Sequence, residues 1–411
     1  MPRAGARDRA ALGAVNFFMA DMQAGIGPFL GVLLLGRGWS TGAIGAVSTL
    51  GGIAGMIAAA PAGALIDVTT RKRACVIVAG LLTVSASGLI VVSQRVWVVA
   101  GAHTASAIAG AAIGPAVIGI TLGLVRQAGF IAQNGRNQAY NHAGNMVGAA
   151  LSGVLGWRFG FAAVFWLAAV FAVVTIVAVL YIPAARIDHR AARGATTDNG
   201  QVPVKKLRVL LKRRPLLALA GAVMLFHLGN AAMLPLYGLA VVAAHGNPFI
   251  TVASTIVVAQ AVMIVAALAA MRIAEKHGYW VAILIAFVAL PIRAVIAACV
   301  ITGWGVVPVQ ILDGIGAGLL SVAVPGLVAQ LLDGSGHINI GQGAVMTAQG
   351  LGASLSPLLG GLIAQHFGFR AAFLLLGAVS LGTLMIWSTF APILRHSAGS
   401  DPNNCGVRRH E

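Results

Sequence analysis

The chain has 411 residues, of which 59% are hydrophobic and only 9% carry a charge. Soluble domains average about 25% charged residues, so this composition excludes a water-soluble globular protein and predicts a surface that faces lipid. The net charge of +17 does not indicate nucleic-acid binding, because the basic residues stand at the borders of apolar segments, where the positive-inside rule explains them. The expected partner is therefore a lipid bilayer and no nucleic acid.

Twelve apolar segments follow one another along the chain, each long enough to cross the hydrocarbon core as a helix of about 20 residues. They predict an all-α integral membrane protein with twelve transmembrane helices. In chain order the predicted spans are residues 11–35, 40–66, 74–93, 96–124, 137–160, 161–183, 215–244, 250–271, 279–302, 305–330, 339–366 and 369–394.

The 27 Lys and Arg residues indicate the orientation of these spans. Of the basic residues in loops, Arg37, Arg95, Arg158 and Arg370 fall on one side of the predicted bilayer, and the others fall on the opposite side. This distribution puts both termini in the cytoplasm. The predicted organisation is an N-terminal six-helix bundle at 1–183, a polar, basic cytoplasmic linker at 184–214, a C-terminal six-helix bundle at 215–395 and a cytoplasmic tail at 396–411.

The first span contains a carboxyl group, Asp21, near its middle, with Gln23 close by. A charged group in hydrocarbon costs about 2.5–3.5 kcal/mol on insertion scales, so such a residue faces a wet cavity or a partner. Two interpretations stay open, since Asp21 either carries protons and contacts solute or is a hydrogen-bonded structural residue. Asp21 and Gln23 are candidates for the proton-coupling and solute cavity.

The loop after the second span reads GALIDVTTRKR. It resembles the signature G-x-L-x-D-x-x-G-R-K of the major facilitator superfamily, with Thr70 in place of a Gly. The resemblance implies two six-helix bundles around a central cavity, and a conformational gate in this loop. A carboxylate and a guanidinium there can form a bridge that breaks when helices shift; the alternative is a plain basic anchor. The gate candidates are Gly63, Asp67, Arg71, Lys72 and Arg73.

The fifth span carries two further patterns. Its segment GNMVGAALSG, from Gly144 to Gly153, is similar to the exporter-associated motif G-x-x-x-G-P-x-x-G-G of the same family, with Ala149 in place of the Pro and Ser152 in place of a Gly. It also has polar side chains three and four residues apart, which lie largely on one helix face. This face either binds solute or packs against another helix, and its members are Gln138, Asn141, His142 and Asn145.

The second half of the chain offers more polar candidates inside spans. His227 and Asn230 of the seventh span fall near the position that matches Asp21, and an imidazole can exchange a proton near neutral pH. Arg293 of the ninth span and Asp313 of the tenth lie at similar depths on either side of a short outer turn. They either form an ion pair, or Asp313 faces the cavity as a second coupling site.

Two features link the halves to each other and to the family. The segment GAALSGVLG at 148–156 recurs as GASLSPLLG at 352–360, identical at six of nine positions, as expected for the repeats of secondary transporters. Prolines occur in spans one, four, seven and ten, which line the central cavity in the family. Because Pro removes a helical hydrogen bond, kinks are expected there, at Pro28, Pro115, Pro235 and Pro325.

The sequence contains no Walker loop and no H-E-x-x-H motif, so we expect no enzyme, no ATP-driven pump, no cofactor and no metal site. The resemblance implies a transporter of the bacterial cytoplasmic (inner) membrane, most simply a monomer. Its partners would be a small-molecule solute and protons, with proton-coupled efflux by alternating access. The alternatives are a proton symporter or facilitator that imports a metabolite, and a membrane receptor or scaffold that transports nothing.

Overall fold

A computed structural model describes residues 5–24, 27–189, 191–193, 214–332 and 338–392. The regular structure of these residues is helical, with two short 3₁₀ turns at Ala184–Arg186 and Ala191–Arg193. In chain order the α-helices are α1 (Ala6–Ala24), α2 (Gly27–Gly36), α3 (Thr41–Val68), α4 (Lys72–Val92), α5 (Val96–Phe159), α6 (Phe161–Tyr181), α7 (Arg214–Asn230), α8 (Met233–Ala243), α9 (Pro248–His277), α10 (Tyr279–Cys299), α11 (Val306–Leu331) and α12 (Ile338–Thr389).

Ten helical stretches in the described part are long and apolar enough to cross a membrane. Two predicted spans are each divided into two helices. Helices α1 and α2 together form one membrane-length stretch, and α7 and α8 together form another. Elsewhere one helix covers two predicted spans, as α5 does across Arg126 (φ 56) and α12 across Gly368 (φ 84). The protein is therefore multi-pass. The number twelve requires α5 and α12 to cross twice each, and it stays a prediction.

The second part of α5, after Arg126, begins well before residue 137, where the sequence predicts the fifth span. The reason is that polar residues in this stretch, such as Gln133 and Asn137, are buried. Hydropathy alone counts them as a break between spans. In the folded chain Gln133 Nε2 donates to Asn137 Oδ1 one turn further along, and Asn137 Nδ2 donates to Thr121 Oγ1 in the first part of α5. These side chains therefore have hydrogen-bond partners, and the helix continues.

One compact unit comprises Met1–Gly200 and Val241–Val257. Its apolar core includes Leu12 and Met22 of α1, Val76 of α4 and Ile113 of α5. Helix α1 packs directly on the second part of α5, because small residues there let two backbones approach. This unit thus includes the end of α8 and the start of α9 in addition to the predicted N-terminal bundle.

Residues 184–189 and 191–193, at the start of the predicted linker, are packed onto this same unit. Arg186 Nη1 lies 3.0 Å from both carboxylate oxygens of Asp8 in α1. Asp188 pairs with Arg126 at 3.0 Å, and Ile187 between them is buried. We call residues 184–189 and 191–193 the docked segment. The remainder of the predicted linker, 194–213, and the tail from 393 lie outside the described residues.

The second unit comprises Gln201–Ala240 and Val258–Glu411. Aromatic packing joins α10 to α12, where the rings of Trp280 and Trp387 stack with their centroids 6.1 Å apart. Gly352 of α12 lies against the backbone carbonyl of Met224 in α7. The repeated segments 148–156 and 352–360 therefore hold corresponding places, each of them packing its own helix onto the first helix of its unit.

Candidate functional site

Asp21 lies at the contact between α1 and the second part of α5. The residue is only 9% exposed, and a Cβ atom placed on Gly148 would lie 2.6 Å from its Oδ1 atom. Its Oδ2 atom is buried without a hydrogen-bond partner among the described residues. Asp21 is thus a buried carboxyl group that none of the described cations neutralises within ion-pair distance. The side chain of Gln23 lies outside the described residues.

The helix-five polar face lies partly against α1. Asn141 Nδ2 donates to the backbone carbonyl of Asn16, at 3.4 Å, and Asn145 Nδ2 donates to Asn141 Oδ1, at 3.2 Å. Gln138 and Asn141 also line a cavity of about 210 Å³. His142 does not line this cavity. The face therefore contributes both to packing and to a cavity.

We call this cavity the amide pocket, because five of its lining residues carry carboxamides. It lies between α1, the first part of α5 and the second part of α5, within the first unit. Its polar lining is Asn16, Thr121, Asn134, Asn137, Gln138 and Asn141. The sequence does not single out Asn134, Asn137 or Thr121. Uncharged polar residues are tolerated in membrane helices, so only their convergence on one cavity reveals them.

A second polar cluster lies inside the second unit, between α7, α10 and α11. Arg293 Nη1 lies 2.7 Å from Asp313 Oδ1, and it also donates to Asn230 Oδ1 at 2.6 Å. Asn230 Nδ2 donates to Asp313 Oδ1 at 3.2 Å, and Arg293 Nη2 donates to Gln310 Oε1 at 3.4 Å. Arg293 is fully buried. We call these four side chains the arginine cluster, in which the two charges offset each other.

His227 lies one turn before Asn230 on α7. Its Nδ1 atom is 2.9 Å from the backbone carbonyl of Val223, a distance that fits donation from the ring N–H. Its Nε2 atom is the second site at which the imidazole can exchange a proton. Gln310, which completes the arginine cluster, is buried and has an unpartnered Nε2 atom in the described part. The sequence does not single it out, since a lone Gln in a span is common.

The residues of the candidate gate lie where α3 ends and α4 begins. Lys72 is 1% exposed, and its Nζ donates to the carbonyls of Ile66 and Thr69 at the end of α3. Asp67 and Arg71 are exposed, and neither takes part in the three ion pairs of the described residues. Lys72 therefore holds the helix end, while Asp67 and Arg71 stand apart. Arg73 is half-buried, and Gly63 has open space beside it.

The four prolines fall into two kinds of position. Pro28 and Pro235 lie in the first turns of α2 and α8, each just after an interruption of a predicted span. Pro is well tolerated there because a first-turn N–H has no helical partner. Pro115 and Pro325 lie inside the continuous helices α5 and α11.

A larger cavity of about 370 Å³ lies in the first unit, lined by His103, Ser87 and Ser106 among small residues of α3 and α5. His103 is not among the candidates named from the sequence, although an ionisable residue in an apolar span is itself a signal. The described residues contain no group of three or more His, Cys, Asp and Glu side chains that could hold a metal ion.

Two helical units that hold charged and amide side chains inside apolar, membrane-length helices define a multi-pass membrane protein of the transporter class. Comparison with known proteins identifies the family. A sequence profile described as Major Facilitator Superfamily matches residues 12–338 and 292–406. Uncharacterized MFS-type transporters from two strains of Mycobacterium tuberculosis are each 38% identical over 387 residues, covering 93% of this chain and 92% of theirs.

Solved structures show the same fold at low sequence identity. A variant of the nucleoside transporter NupG superposes with a TM-score of 0.80 at 14% identity, over 93% of this chain and 99% of that one. A bacterial homolog of the human lysosomal transporter Spinster, inward-facing and unoccupied, gives a TM-score of 0.64 at 15% identity, with 96% of both chains covered. The chain belongs to the major facilitator superfamily, and it is a transporter.

Proposed function

We propose that this transporter exports a small organic solute in exchange for protons, with Asp21 as the proton-binding group. The observation that carries the proposal is the Asp21 carboxyl group, which is buried and has no cationic partner among the described residues. A buried carboxylate without a partner is unfavourable, so binding of a proton relieves a large desolvation penalty. Asp313 is the weaker candidate, because Arg293 already compensates its charge.

The proposed cycle moves one proton inward for each turnover of Asp21. The carboxylate takes up a proton from the outer side and becomes a neutral carboxyl group, and it later gives that proton to water on the cytoplasmic side. Solute occupies the cavity for the opposite crossing. Alternating access in this family is a motion of one bundle against the other around a central site. Export is favoured by the resemblance of residues 144–153 to the exporter motif.

The junction between α3 and α4 is the proposed conformational gate. Lys72 keeps the end of α3 capped, so the loop keeps its shape while Asp67 and Arg71 remain available for a bridge in another conformation. Both termini are proposed to lie in the cytoplasm and the protein to be a monomer in the bacterial cytoplasmic membrane, where the basic loops favour this orientation.

The test uses everted bacterial membrane vesicles that carry a proton gradient reported by an acridine dye, with ethidium and uracil as probes. We expect wild-type vesicles to accumulate a transported probe, to lose part of the gradient when it is added, and to stop after a protonophore. Asp21→Asn should abolish all three effects, and Glu275→Gln, which changes an exposed acid on α9, should leave them intact. Accumulation that survives Asp21→Asn but is still abolished by the protonophore would mean that the coupling proton binds to another group. Flux that only equilibrates the probe and survives both changes would indicate a facilitator.

A further inference from the structure

The amide pocket has an uncharged lining, in which carboxamides are the main polar groups and Met19, Val117 and Ile118 add apolar surface. Five carboxamides and one hydroxyl meet around about 210 Å³, and none of the side chains that line it carries a charge. With about 30 Å³ of liquid volume for each water molecule, the pocket has room for roughly seven waters. That is the size of a single ring with its substituents, and it is smaller than typical drug sites of about 300–1,000 Å³.

The amides divide into two groups by their partners. Asn137 is held on both sides, since Gln133 Nε2 donates to its Oδ1 at 2.9 Å and its Nδ2 donates to Thr121 Oγ1 at 3.0 Å. Asn134 and Gln138 make no side-chain hydrogen bond with any described residue. The first group gives the pocket its shape, and the second presents free donors and acceptors to its contents.

We propose that the amide pocket binds the uncharged head group of the transported solute, a ring-sized cyclic amide with donor and acceptor atoms side by side. Each carboxamide has two N–H donors and one carbonyl acceptor, so it can pair with both atoms of an amide edge at once. An ion would be desolvated there without a counter-charge. A purely apolar group would leave Asn134 and Gln138 unsatisfied. The inference rests on the proposed function, because it names the solute class.

The position of the pocket connects it to the proposed proton site. Asn16 of the pocket and Asp21 are both on α1, about 7–8 Å apart along the helix axis at 1.5 Å per residue. Both lie against the second part of α5, through Asn141 and Gly148 respectively. Filling the pocket and protonating Asp21 therefore act on the same helix contact, which is a route for coupling.

The test measures binding to the purified full-length protein by equilibrium dialysis with radiolabelled uracil, and by the Tm shift with uracil and hydantoin. N,N-dimethyluracil, which lacks the N–H donors, and orotate, which adds a carboxylate, are the matched comparison compounds. We expect the cyclic amides to bind and to raise Tm, and the comparison compounds to do neither. Failure of both cyclic amides, or equal binding of orotate, would overturn the proposal.

Variants locate the site and separate this inference from the proposed function. Asn134→Ala and Gln138→Ala should each weaken uracil binding by about tenfold, as expected for the loss of one or two hydrogen bonds. Arg136→Gln, on the same helix but outside the lining, should bind normally. Asp21→Asn should still bind uracil while losing proton-coupled transport. Unchanged binding in both pocket variants with intact Tm would overturn the amide pocket, and loss of coupling alone would not.

Discussion

At the scale of single residues, burial decides what Asp21, Arg293 and Asp313 are suited to do. Both acids lie in apolar helices, but Asp313 is 2.7 Å from Arg293, whereas Asp21 has no described cation at ion-pair distance. A compensated pair can stay charged in a low-dielectric interior. An uncompensated carboxyl group is most stable when it is neutral, which suits it to carry a proton. In the proposed mechanism the two acids therefore have different roles: Asp21 binds the proton, and Asp313 offsets the charge of Arg293.

The arginine cluster gives a stability prediction. Asp313→Ala should lower the free energy of unfolding by about 3–5 kcal/mol, because it leaves Arg293 buried without a counter-charge. The double variant Arg293→Met with Asp313→Leu should recover much of the loss, since no charge is then left uncompensated. Reversible unfolding in detergent micelles measures both. A double variant less stable than Asp313→Ala would show that the pair does more than offset its own charges.

Gly148 gives a prediction about the contact between α1 and α5. A Cβ atom at this position would lie 2.6 Å from Asp21 Oδ1, so Gly148→Ala should push α1 away and lower stability by about 1–3 kcal/mol. Proton-coupled transport should fall with it. Gly101→Ala is the matched control, because a Cβ atom there meets nothing within 4 Å. A Gly148→Ala protein as stable and active as the control would contradict the close approach.

At the scale of elements, the sequence predicts best the helices that are apolar throughout. The predicted spans 74–93 and 161–183 correspond to α4 (Lys72–Val92) and α6 (Phe161–Tyr181) within two residues at each end. The early start of the second part of α5 could not be predicted, because its polar residues look like a loop until their partners are known. Asp21 and Asp313 stand out in the sequence because acids are rare in lipid, whereas Asn134 and Gln310 stand out only once packing brings them to a site.

The docked segment gives a prediction at this scale. Its contacts with the first unit depend on Arg186 and Asp8, whose carboxylate is only 4% exposed, and on Asp188 with Arg126. Arg186→Gln should free the segment, because Asp8 then loses its partner, and amide hydrogen exchange at residues 187–192 should become faster. Arg95→Gln, at the opposite end of the spans, is the control. Unchanged exchange after Arg186→Gln would show that apolar contacts of Ile187 suffice.

At the scale of the whole molecule, we propose that the superfamily fold provides the transport path and that a few buried polar groups determine its selectivity. The amide pocket and Asp21 both lie at the contact between α1 and α5 in the first unit, so in the proposed mechanism solute and proton act on the same contact. The arginine cluster keeps the second unit electrically balanced inside lipid. In this account, transport depends on the Asp21 carboxyl group, which gains and loses a proton, while the polar groups of the amide pocket stay uncharged.

The most direct test of this account records the charge movement that follows a pH jump on proteoliposomes adsorbed to a solid-supported membrane, with no solute present. Proton binding at Asp21 should give a transient current in the wild-type protein, no current in Asp21→Asn, and a normal current in Glu275→Gln. The Asp313→Asn protein, if folded, should keep the transient. A current of wild-type size in Asp21→Asn would contradict the account, because the proton would then bind elsewhere.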